Sequence, residues 1–355
     1  MKIVCHLGRL EGSVRAIPSK SDAHRLLICA ALADRPTEIV MPNWQGEDIA
    51  ATMRCLQALG ASFERCEDRV IVVPMQNATL DCGESGSTLR FLLPVAAALG
   101  CGARFTGEGR LPQRPIGPLL SALRAGGVSF DADKLPLRLE GRLRAGAYML
   151  PGDVSSQFIT GLLLALPVVG GGSIGLLQAL ESAGYVDMTL NALGKFSVSV
   201  AETGQGFIVH PGQGYRSPGV ATAEGDWSNM AFFLCAGALG GAVQCEGLLD
   251  SSLQGDAAVT EWLARFGAQV VRAGDAVSVS GHAQSALAID ARAIPDLVPV
   301  LAVVAAGGAP GGVTRFYNAA RLRLKESDRI ASVARMLRAL GGNAWEEPDA
   351  LYVEG

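Results

Sequence analysis

A motif that ends in glycine and recurs five times limits the folds open to this chain of 355 residues. In each copy an apolar helical segment ends at a glycine, and a strand, a polar turn and a second strand follow. The five glycines are predicted to be left-handed helix ends, and they are Gly60, Gly127, Gly194, Gly267 and Gly341. One copy alone would be an ordinary helix ending. Because successive copies lie about 70 residues apart, they indicate compact α+β subdomains and not a solenoid.

The composition excludes several classes of protein. A formal net charge of -4 argues against a general nucleic-acid binder. The most apolar segments, 158–169 and 297–306, are too short to cross a bilayer and are predicted to be buried helices, while residues 1–12 alternate like a strand. The eight cysteines form no CxxC pair and have no spacing that suits a zinc site, so we expect no metal site. Scattered thiols in an apolar chain without an export signal fit the reducing cytoplasm, so we expect a cytoplasmic location and no disulfides.

The first candidate site lies where a Pro/Ser turn enters an apolar helix at residues 26–32. Ser21 or Asp22 is predicted to cap this helix. Its free amides, together with Lys20 and Arg25, would attract a phosphate or carboxylate group. The alternative is a solvated helix start that carries incidental charges.

Two further helix starts repeat this arrangement in the first half of the chain. The small-residue loop 83–90 enters an apolar helix at 91–99 and sets backbone amides and one arginine where an anion can bind. Ser155, Ser156 and Gln157 precede another apolar helix, and capping accounts for only one of them. Arg114 is flanked by prolines that would preorganise its guanidinium, although an isolated arginine is more often a surface charge.

The second half supplies acids and cations in front of helices. Asp226 and Asp296 each precede an apolar helix, so each is either an N-cap or a general base beside an anion. In the charged segment 321–329, Lys325 and Arg329 are predicted to lie on one face of a helix, with Glu326 beside them as a proton donor. A solvated charged face is the alternative.

Taken in order, seven segments of the chain resemble the motifs of the 5-enolpyruvylshikimate-3-phosphate synthase family, over essentially the whole sequence. They are Pro-Ser-Lys-Ser…His-Arg (18–25), Glu-Ser-Gly-Ser-Thr-Leu-Arg (84–90), Gln-Arg-Pro-Ile-Gly (113–117), Ser-Ser-Gln-Phe (155–158), Glu-Gly-Asp-Trp-Ser (224–228), Ile-Pro-Asp (294–296) and Lys-Glu-Ser-Asp-Arg (325–329). The resemblance implies an α+β, two-domain enolpyruvyl transferase fold built from βαβαββ units. With a crossing expected at 212–224, the first domain is 17–223 with three units, and the second is 1–16 with 224–355.

The resemblance also implies the reaction. The enolpyruvyl group of phosphoenolpyruvate passes to the 5-hydroxyl of shikimate 3-phosphate through a tetrahedral adduct, with release of phosphate, on the way to chorismate and the aromatic amino acids. No metal or organic cofactor is expected. The expected partners are the two small-molecule substrates, with no nucleic acid and no membrane, and a monomer is expected for the complete protein.

Roles carry over from the family motif by motif. Lys20, Asp296 and Glu326 are expected to be catalytic, with Asp296 as the base for the 5-hydroxyl and Glu326 as an acid at the methylene carbon. Phosphoenolpyruvate is expected to contact Lys20, Gly86, Ser87, Arg114 and Arg329. Shikimate 3-phosphate is expected to contact Lys20, Ser21, Arg25, Ser155, Ser156, Gln157, Ser182, Tyr185 and Lys325.

The sequence departs from the family pattern in several places. The family continues with an Asp-His-Arg motif and a later Lys, and neither occurs here, so we expect the second domain to lack its closing unit. Two alternatives follow for these 355 residues. They either catalyse the reaction or only bind shikimate 3-phosphate without turnover. The sister enzyme that acts on UDP-N-acetylglucosamine carries a Cys where Leu111-Pro112-Gln113 stands. Glu84 and Phe91 replace the usual Asn and Pro.

Overall fold

The computed structural model describes residues 8–44, 46–66, 69–73, 79–325 and 327–355. The strand predicted at 1–12 lies mostly outside this range. The chain forms two compact units. The continuous unit is Pro18–Ala223, and the discontinuous unit combines Met1–Ile17 with Glu224–Gly355.

Helices and strands alternate along the described residues. The α-helices are α1 (Lys20–Ala31), α2 (Glu47–Ala58), α3 (Gly86–Leu99), α4 (Gly117–Ala125), α5 (Ser156–Ala165), α6 (Ala183–Lys195), α7 (Trp227–Gly237), α8 (Val259–Phe266), α9 (Val298–Ala306) and α10 (Arg329–Ala339). The first strands are β1 (Glu11–Arg15), β2 (Thr37–Val40), β3 (Ser62–Cys66), β4 (Arg69–Val73), β5 (Thr79–Asp81), β6 (Arg104–Thr106), β7 (Val128–Phe130), β8 (Leu137–Gly141), β9 (Gly146–Leu150) and β10 (Gly172–Leu176). The others are β11 (Val200–Thr203), β12 (Gly206–Val209), β13 (Val220–Thr222), β14 (Leu239–Glu246), β15 (Gln269–Ala273), β16 (Ala276–His282), β17 (Ala288–Asp290), β18 (Val313–Tyr317), β19 (Asn343–Glu347) and β20 (Ala350–Glu354).

Every sheet of the described residues has four strands in the same arrangement. A parallel pair is extended by an antiparallel hairpin whose second strand lies inside. The continuous unit contains β13-β2-β4-β3, β5-β6-β8-β7 and β9-β10-β12-β11, and the discontinuous unit contains β1-β14-β16-β15 and β17-β18-β20-β19. The five hairpins follow α2, α4, α6, α8 and α10, as the glycine motif predicts.

The predicted left-handed glycines are confirmed at four of the five helix ends. Their φ angles are 94° at Gly60, 97° at Gly127, 102° at Gly267 and 91° at Gly341. The prediction is wrong for Gly194, because α6 continues through Lys195 and the left-handed residue is Ser197, with φ 63°. A helix that runs past its glycine needs no reversal there.

Helices α3 and α5 pack against each other in the core of the continuous unit. A Cβ on Gly161 of α5 would lie 2.2 Å from the carbonyl oxygen of Arg90 on α3, so only glycine permits this approach. Both segments predicted to be buried helices are confirmed, as α5 and α9. No helix among the described residues has the length and apolar character needed to cross a membrane. Unpaired, buried thiols belong to Cys29, Cys55, Cys82, Cys101, Cys235 and Cys245.

Candidate active site

The first turn of α3 lies against an arginine from another segment. Ser85 caps this helix by accepting a hydrogen bond from the Thr88 N–H at 3.2 Å. A Cβ on Gly86 would lie only 2.6 Å from Nη1 of Arg114, which follows the 3₁₀ helix Leu111–Gln113. The missing side chain at Gly86 therefore lets a guanidinium reach the helix N-terminus, where unpaired amides also attract anions.

Gln157 connects this helix start to α5. Its Nε2 donates to Ser87 Oγ at 2.9 Å, and its Oε1 accepts from Arg90 Nη1 at 2.6 Å. Arg90 Nη2 also donates to the Pro115 carbonyl oxygen at 3.2 Å, next to Arg114. We call Gly86, Ser87, Arg90, Arg114 and Gln157 the anion cluster. Its five residues come from three segments of the chain that were each predicted to bind an anion or a phosphorylated ligand.

The remaining polar residues predicted from the first half occupy helix starts. Ser155 caps α5, since its Oγ accepts from the Gln157 N–H at 3.3 Å, and Ser156 is buried in the first turn. Ser182 precedes α6 in a left-handed conformation, with φ 57°, and is also buried. Tyr185 lies in the first turn of α6, where its carbonyl oxygen accepts a hydrogen bond from Arg25.

The start of α1 differs from its prediction. Ser19 is the N-cap, so the assignment of the cap to Ser21 or Asp22 is wrong by two or three residues. Lys20 Nζ forms an ion pair of 3.0 Å with Asp48 Oδ2 and keeps 54% of its side chain exposed. Because Lys20 begins the helix itself, its own backbone amide belongs to the anion-attracting first turn.

Arg25, by contrast, is 2% exposed and bonded to the protein. Its Nε donates to Thr189 Oγ1 at 2.8 Å, its Nη1 to the Ser21 carbonyl oxygen at 2.5 Å and its Nη2 to the Tyr185 carbonyl oxygen at 2.6 Å. Its guanidinium also lies 5.1 Å from the centre of the Phe91 ring. Arg25 therefore ties α1 to α6, and its expected contact with shikimate 3-phosphate stays a prediction.

The two aspartates of the second half separate into different roles. Asp226 is the N-cap of α7 and accepts from the Asn229 N–H at 2.8 Å. Asp296 is not a cap, because α9 begins at Val298 with Leu297 before it. The Asp296 carboxylate instead forms an ion pair with Arg329. Of these two aspartates, only Asp296 has a carboxylate that helix capping does not explain.

The charged segment before α10 also differs from its prediction. Arg329 is the first residue of α10, Asp328 is the N-cap, and Lys325 follows the 3₁₀ helix Ala320–Leu324. Lys325 and Arg329 therefore do not share one helix face, since Lys325 lies before the helix. Arg323 of the same segment binds Asp328 and Glu346, each at 2.9 Å, and is structural. Glu326 lies outside the described residues.

A carboxylate that the sequence did not single out belongs to the same unit. Asp256 is 2% exposed and accepts a hydrogen bond from the Ser228 hydroxyl. Burial and the negative charges of Asp296 and Asp226 raise its pKa to about 7, against the opposing effects of the Ser228 hydrogen bond and Lys325. In the sequence, Gln-Gly-Asp resembles an ordinary turn, and no local signal distinguishes it.

Replacing Asp256 with asparagine is expected to change how stability depends on pH. A folded-state pKa above the ordinary value of 3.8 means that the folded protein binds the extra proton. The contribution is fully present below that ordinary value and is lost as the pH rises through about 7. Urea unfolding should therefore show that the free energy of unfolding falls more between pH 5 and pH 8 in the wild type than in Asp256→Asn. Equal losses would contradict the assignment.

Each unit has its own set of charged groups. The anion cluster of the continuous unit contains guanidinium and amide donors, and the discontinuous unit contains two acids, the buried Asp256 and Asp296, with the cations Lys325 and Arg329. Among the described residues, no group of three or more His, Cys, Asp or Glu side chains is arranged to hold a metal ion.

Comparison with known proteins identifies relatives along nearly the whole chain. A family model described as EPSP synthase (3-phosphoshikimate 1-carboxyvinyltransferase) matches residues 4–355. A 3-phosphoshikimate 1-carboxyvinyltransferase from Clostridium kluyveri is 40% identical over an alignment of 356 residues, gaps included, that covers 98% of this chain and 83% of the relative. Another from Methanocorpusculum labreanum is 39% identical over 365 residues, covering 100% of this chain and 86% of the relative.

Solved structures agree with these relatives. EPSP synthase from Acinetobacter baumannii superposes with a TM-score of 0.78 at 25% identity, covering 98% of this chain and 82% of that one. The enolpyruvyl transferase NikO from Streptomyces tendae, at 18% identity and a TM-score of 0.74, shares the fold, with the same coverage of 98% and 82%. The predicted α+β enolpyruvyl transferase fold is confirmed. Family model, relatives and structures together show that the chain belongs to the EPSP synthase family.

Proposed function

We propose that this protein transfers the enolpyruvyl group of phosphoenolpyruvate to the 5-hydroxyl of shikimate 3-phosphate and releases inorganic phosphate. The 5-hydroxyl oxygen forms a bond to C2 of phosphoenolpyruvate while its proton goes to a base and the methylene carbon gains a proton. The tetrahedral adduct then loses phosphate from C2 and a proton from the methyl carbon. The products are the enolpyruvyl ether and phosphate, so no oxidant or reductant is needed.

The anion cluster is the observation that carries this proposal. Both substrates are multiply charged anions, and binding them requires preorganised donors. Arg114 beside the α3 N-terminus combines a guanidinium with a helix-end site, and Gln157 fixes Ser87 and Arg90 around it. We assign Gly86, Ser87 and Arg114 to phosphoenolpyruvate. We assign Lys20, Ser21, Arg25, Ser155, Ser156, Gln157, Ser182 and Tyr185 to shikimate 3-phosphate.

Proton transfer is assigned to the discontinuous unit. Asp296 is the proposed base for the 5-hydroxyl, since its carboxylate is not used as a helix cap and is oriented by Arg329. Glu326 stays the proposed acid at the methylene carbon, and Lys325 and Arg329 the proposed substrate contacts. We also propose that the domains are 17–223 and 1–16 with 224–355, that the protein is cytoplasmic, and that the complete protein is a monomer.

A phosphate-release assay with the 355-residue chain and both substrates tests the function. We expect phosphate release that requires shikimate 3-phosphate and is not supported by UDP-N-acetylglucosamine. Calorimetry with shikimate 3-phosphate alone tests the alternative, a protein that binds this ligand without catalysis. Heat of binding without phosphate release would favour a protein that binds this ligand and does not turn it over.

Gly86→Ala is expected to raise KM for phosphoenolpyruvate by about tenfold while KM for shikimate 3-phosphate changes little. The added Cβ would lie 2.6 Å from Arg114 Nη1, so the guanidinium must move away from the helix start. Steady-state kinetics with each substrate varied in turn measures the effect. Gly117→Ala is the matched control, because a Cβ there meets nothing within 4 Å. Equal effects of the two variants would argue against the assignment.

A further inference from the structure

A continuous chain of hydrogen bonds runs through the interior of the continuous unit. His24 Nδ1 lies 2.8 Å from Thr52 Oγ1, Thr52 Oγ1 lies 2.7 Å from Thr88 Oγ1, and Thr88 Oγ1 lies 2.7 Å from Ser85 Oγ. The four side chains come from α1, α2, α3 and the N-cap of α3, and none is more than 1% exposed. We call His24, Thr52, Thr88 and Ser85 the buried hydroxyl chain.

His24 is the neutral end of this chain. Burial, and then the positive charges of Lys20 and Arg25, lower its pKa to about 3. A neutral imidazole carries one proton, on either Nδ1 or Nε2. Nε2 is buried and has no hydrogen-bond partner among the residues that the structure describes. A buried N–H without an acceptor is rarer in proteins than a buried acceptor without a donor, so the proton belongs on Nδ1.

This tautomer sets the direction of every hydroxyl in the chain. With Nδ1–H donating to Thr52, the single Thr52 proton is available to Thr88, and the single Thr88 proton to Ser85. Ser85 Oγ then accepts from both the hydroxyl and the backbone N–H of Thr88, at 2.7 and 3.2 Å. The opposite tautomer would reverse each of these donors, and Ser85 Oγ would then donate to Thr88 Oγ1 while it still accepts from the Thr88 N–H.

The imidazole is also held by an aromatic neighbour. The rings of His24 and Phe91 meet edge to face at 88°, with centroids 6.2 Å apart. Phe91 stands where the family commonly has proline, and it contacts both His24 and Arg25. The unusual residue therefore belongs to the packing that orients His24.

We propose that His24 is a positioning residue for phosphoenolpyruvate binding, acting through Thr52 and Thr88 to hold Ser85 and the first turn of α3. That turn contains Gly86 and Ser87, so the inference rests on the proposed assignment of the anion cluster. The Asp48 carbonyl oxygen is another acceptor near Thr88 Oγ1, at 3.4 Å, and the single Thr88 proton goes to the closer Ser85 Oγ, at 2.7 Å.

Thr52→Val tests the inference, because valine matches threonine in shape and replaces the hydroxyl with a methyl group that cannot form hydrogen bonds. We expect KM for phosphoenolpyruvate to rise about tenfold while kcat stays within about twofold of wild type. Thr52→Ser keeps a hydroxyl and should restore KM to near the wild-type value. KM unchanged in Thr52→Val would overturn the proposal, as would a loss confined to kcat. Failure of Thr52→Ser to restore KM would also count against it.

Two measurements on the folded protein do not depend on turnover. Nitrogen-15 NMR of the His24 ring should show the proton on Nδ1, and a proton on Nε2 would overturn the proposed direction. Amide hydrogen exchange at residues 86–88 should be about tenfold faster in Thr52→Val than in wild type. Unchanged exchange there would contradict coupling to the first turn of α3. If the wild type releases no phosphate but both results are as expected, the proposed function fails while the coupling stands.

Discussion

Asp296→Asn is expected to lower kcat by about a hundred- to ten-thousandfold, the usual effect of removing a general base. The amide keeps the shape of the side chain but has no basic oxygen to take the proton of the 5-hydroxyl. It also removes the charge that pairs with Arg329 and one of the charges that raise the pKa of Asp256. Phosphate release at saturating concentrations of both substrates measures the effect.

Asp226→Asn is the matched control for this experiment. It removes a carboxylate that also acts on Asp256, but asparagine caps helices as well as aspartate does. We expect kcat within about tenfold of wild type. Similar losses of kcat in the two variants would mean that the negative charge around Asp256 matters and that Asp296 is not the base.

Arg25→Ala is expected to lower the free energy of unfolding by about 3–5 kcal/mol. The substitution removes three hydrogen bonds donated by a buried cation, together with its contact with Phe91. The Ser21 carbonyl oxygen loses this donor, and a cavity forms between α1 and α6. Urea unfolding followed by circular dichroism gives the difference.

Arg272→Ala controls for the loss of an arginine with similar contacts near the surface. Arg272 donates to Asp250 at 2.6 Å and to Thr260 at 2.9 Å, and it lies over the Trp227 ring. Its side chain is 35% exposed, and its carboxylate partner 80%. We expect a loss of about 1 kcal/mol. A loss as large as that of Arg25→Ala would show that burial is not the cause.

The repeated architecture could be predicted from the sequence because its signals are local. A glycine closes a helix, alternation marks each strand, and spacing separates one unit from the next. The exception at Gly194 arises because α6 extends past the glycine to Lys195. The local sequence does not determine the last residue of a helix to within one or two positions. The exact N-cap position is equally hard to predict where several capping residues lie close together. Ser19 is the N-cap of α1, and the sequence pattern favoured Ser21 or Asp22.

The site was harder to predict, because its residues depend on tertiary packing. The motifs identified Gly86, Ser87, Arg114 and Gln157, but not that Gln157 joins two of these segments. Asp256 was missed, since only burial beside other carboxylates distinguishes it from a turn residue. The choice between cap and base for Asp296 likewise required the observed start of α9.

Strand β1 pairs in parallel with β14, from Glu11 opposite Ala242 to Arg15 opposite Glu246. At about 10 residues per second, a ribosome makes β1 roughly 20 s before it makes β14. The continuous unit is complete in the nascent chain during that interval, whereas β1 must wait without its partner. The Asp226 N–H donates to the Ile17 carbonyl oxygen at 2.8 Å. The segment that leaves the discontinuous unit and the segment that returns to it therefore meet at one point. The chain therefore has the architecture of an insertion, in which the 206 residues of the continuous unit interrupt the other unit at a point where its two parts are hydrogen-bonded to each other.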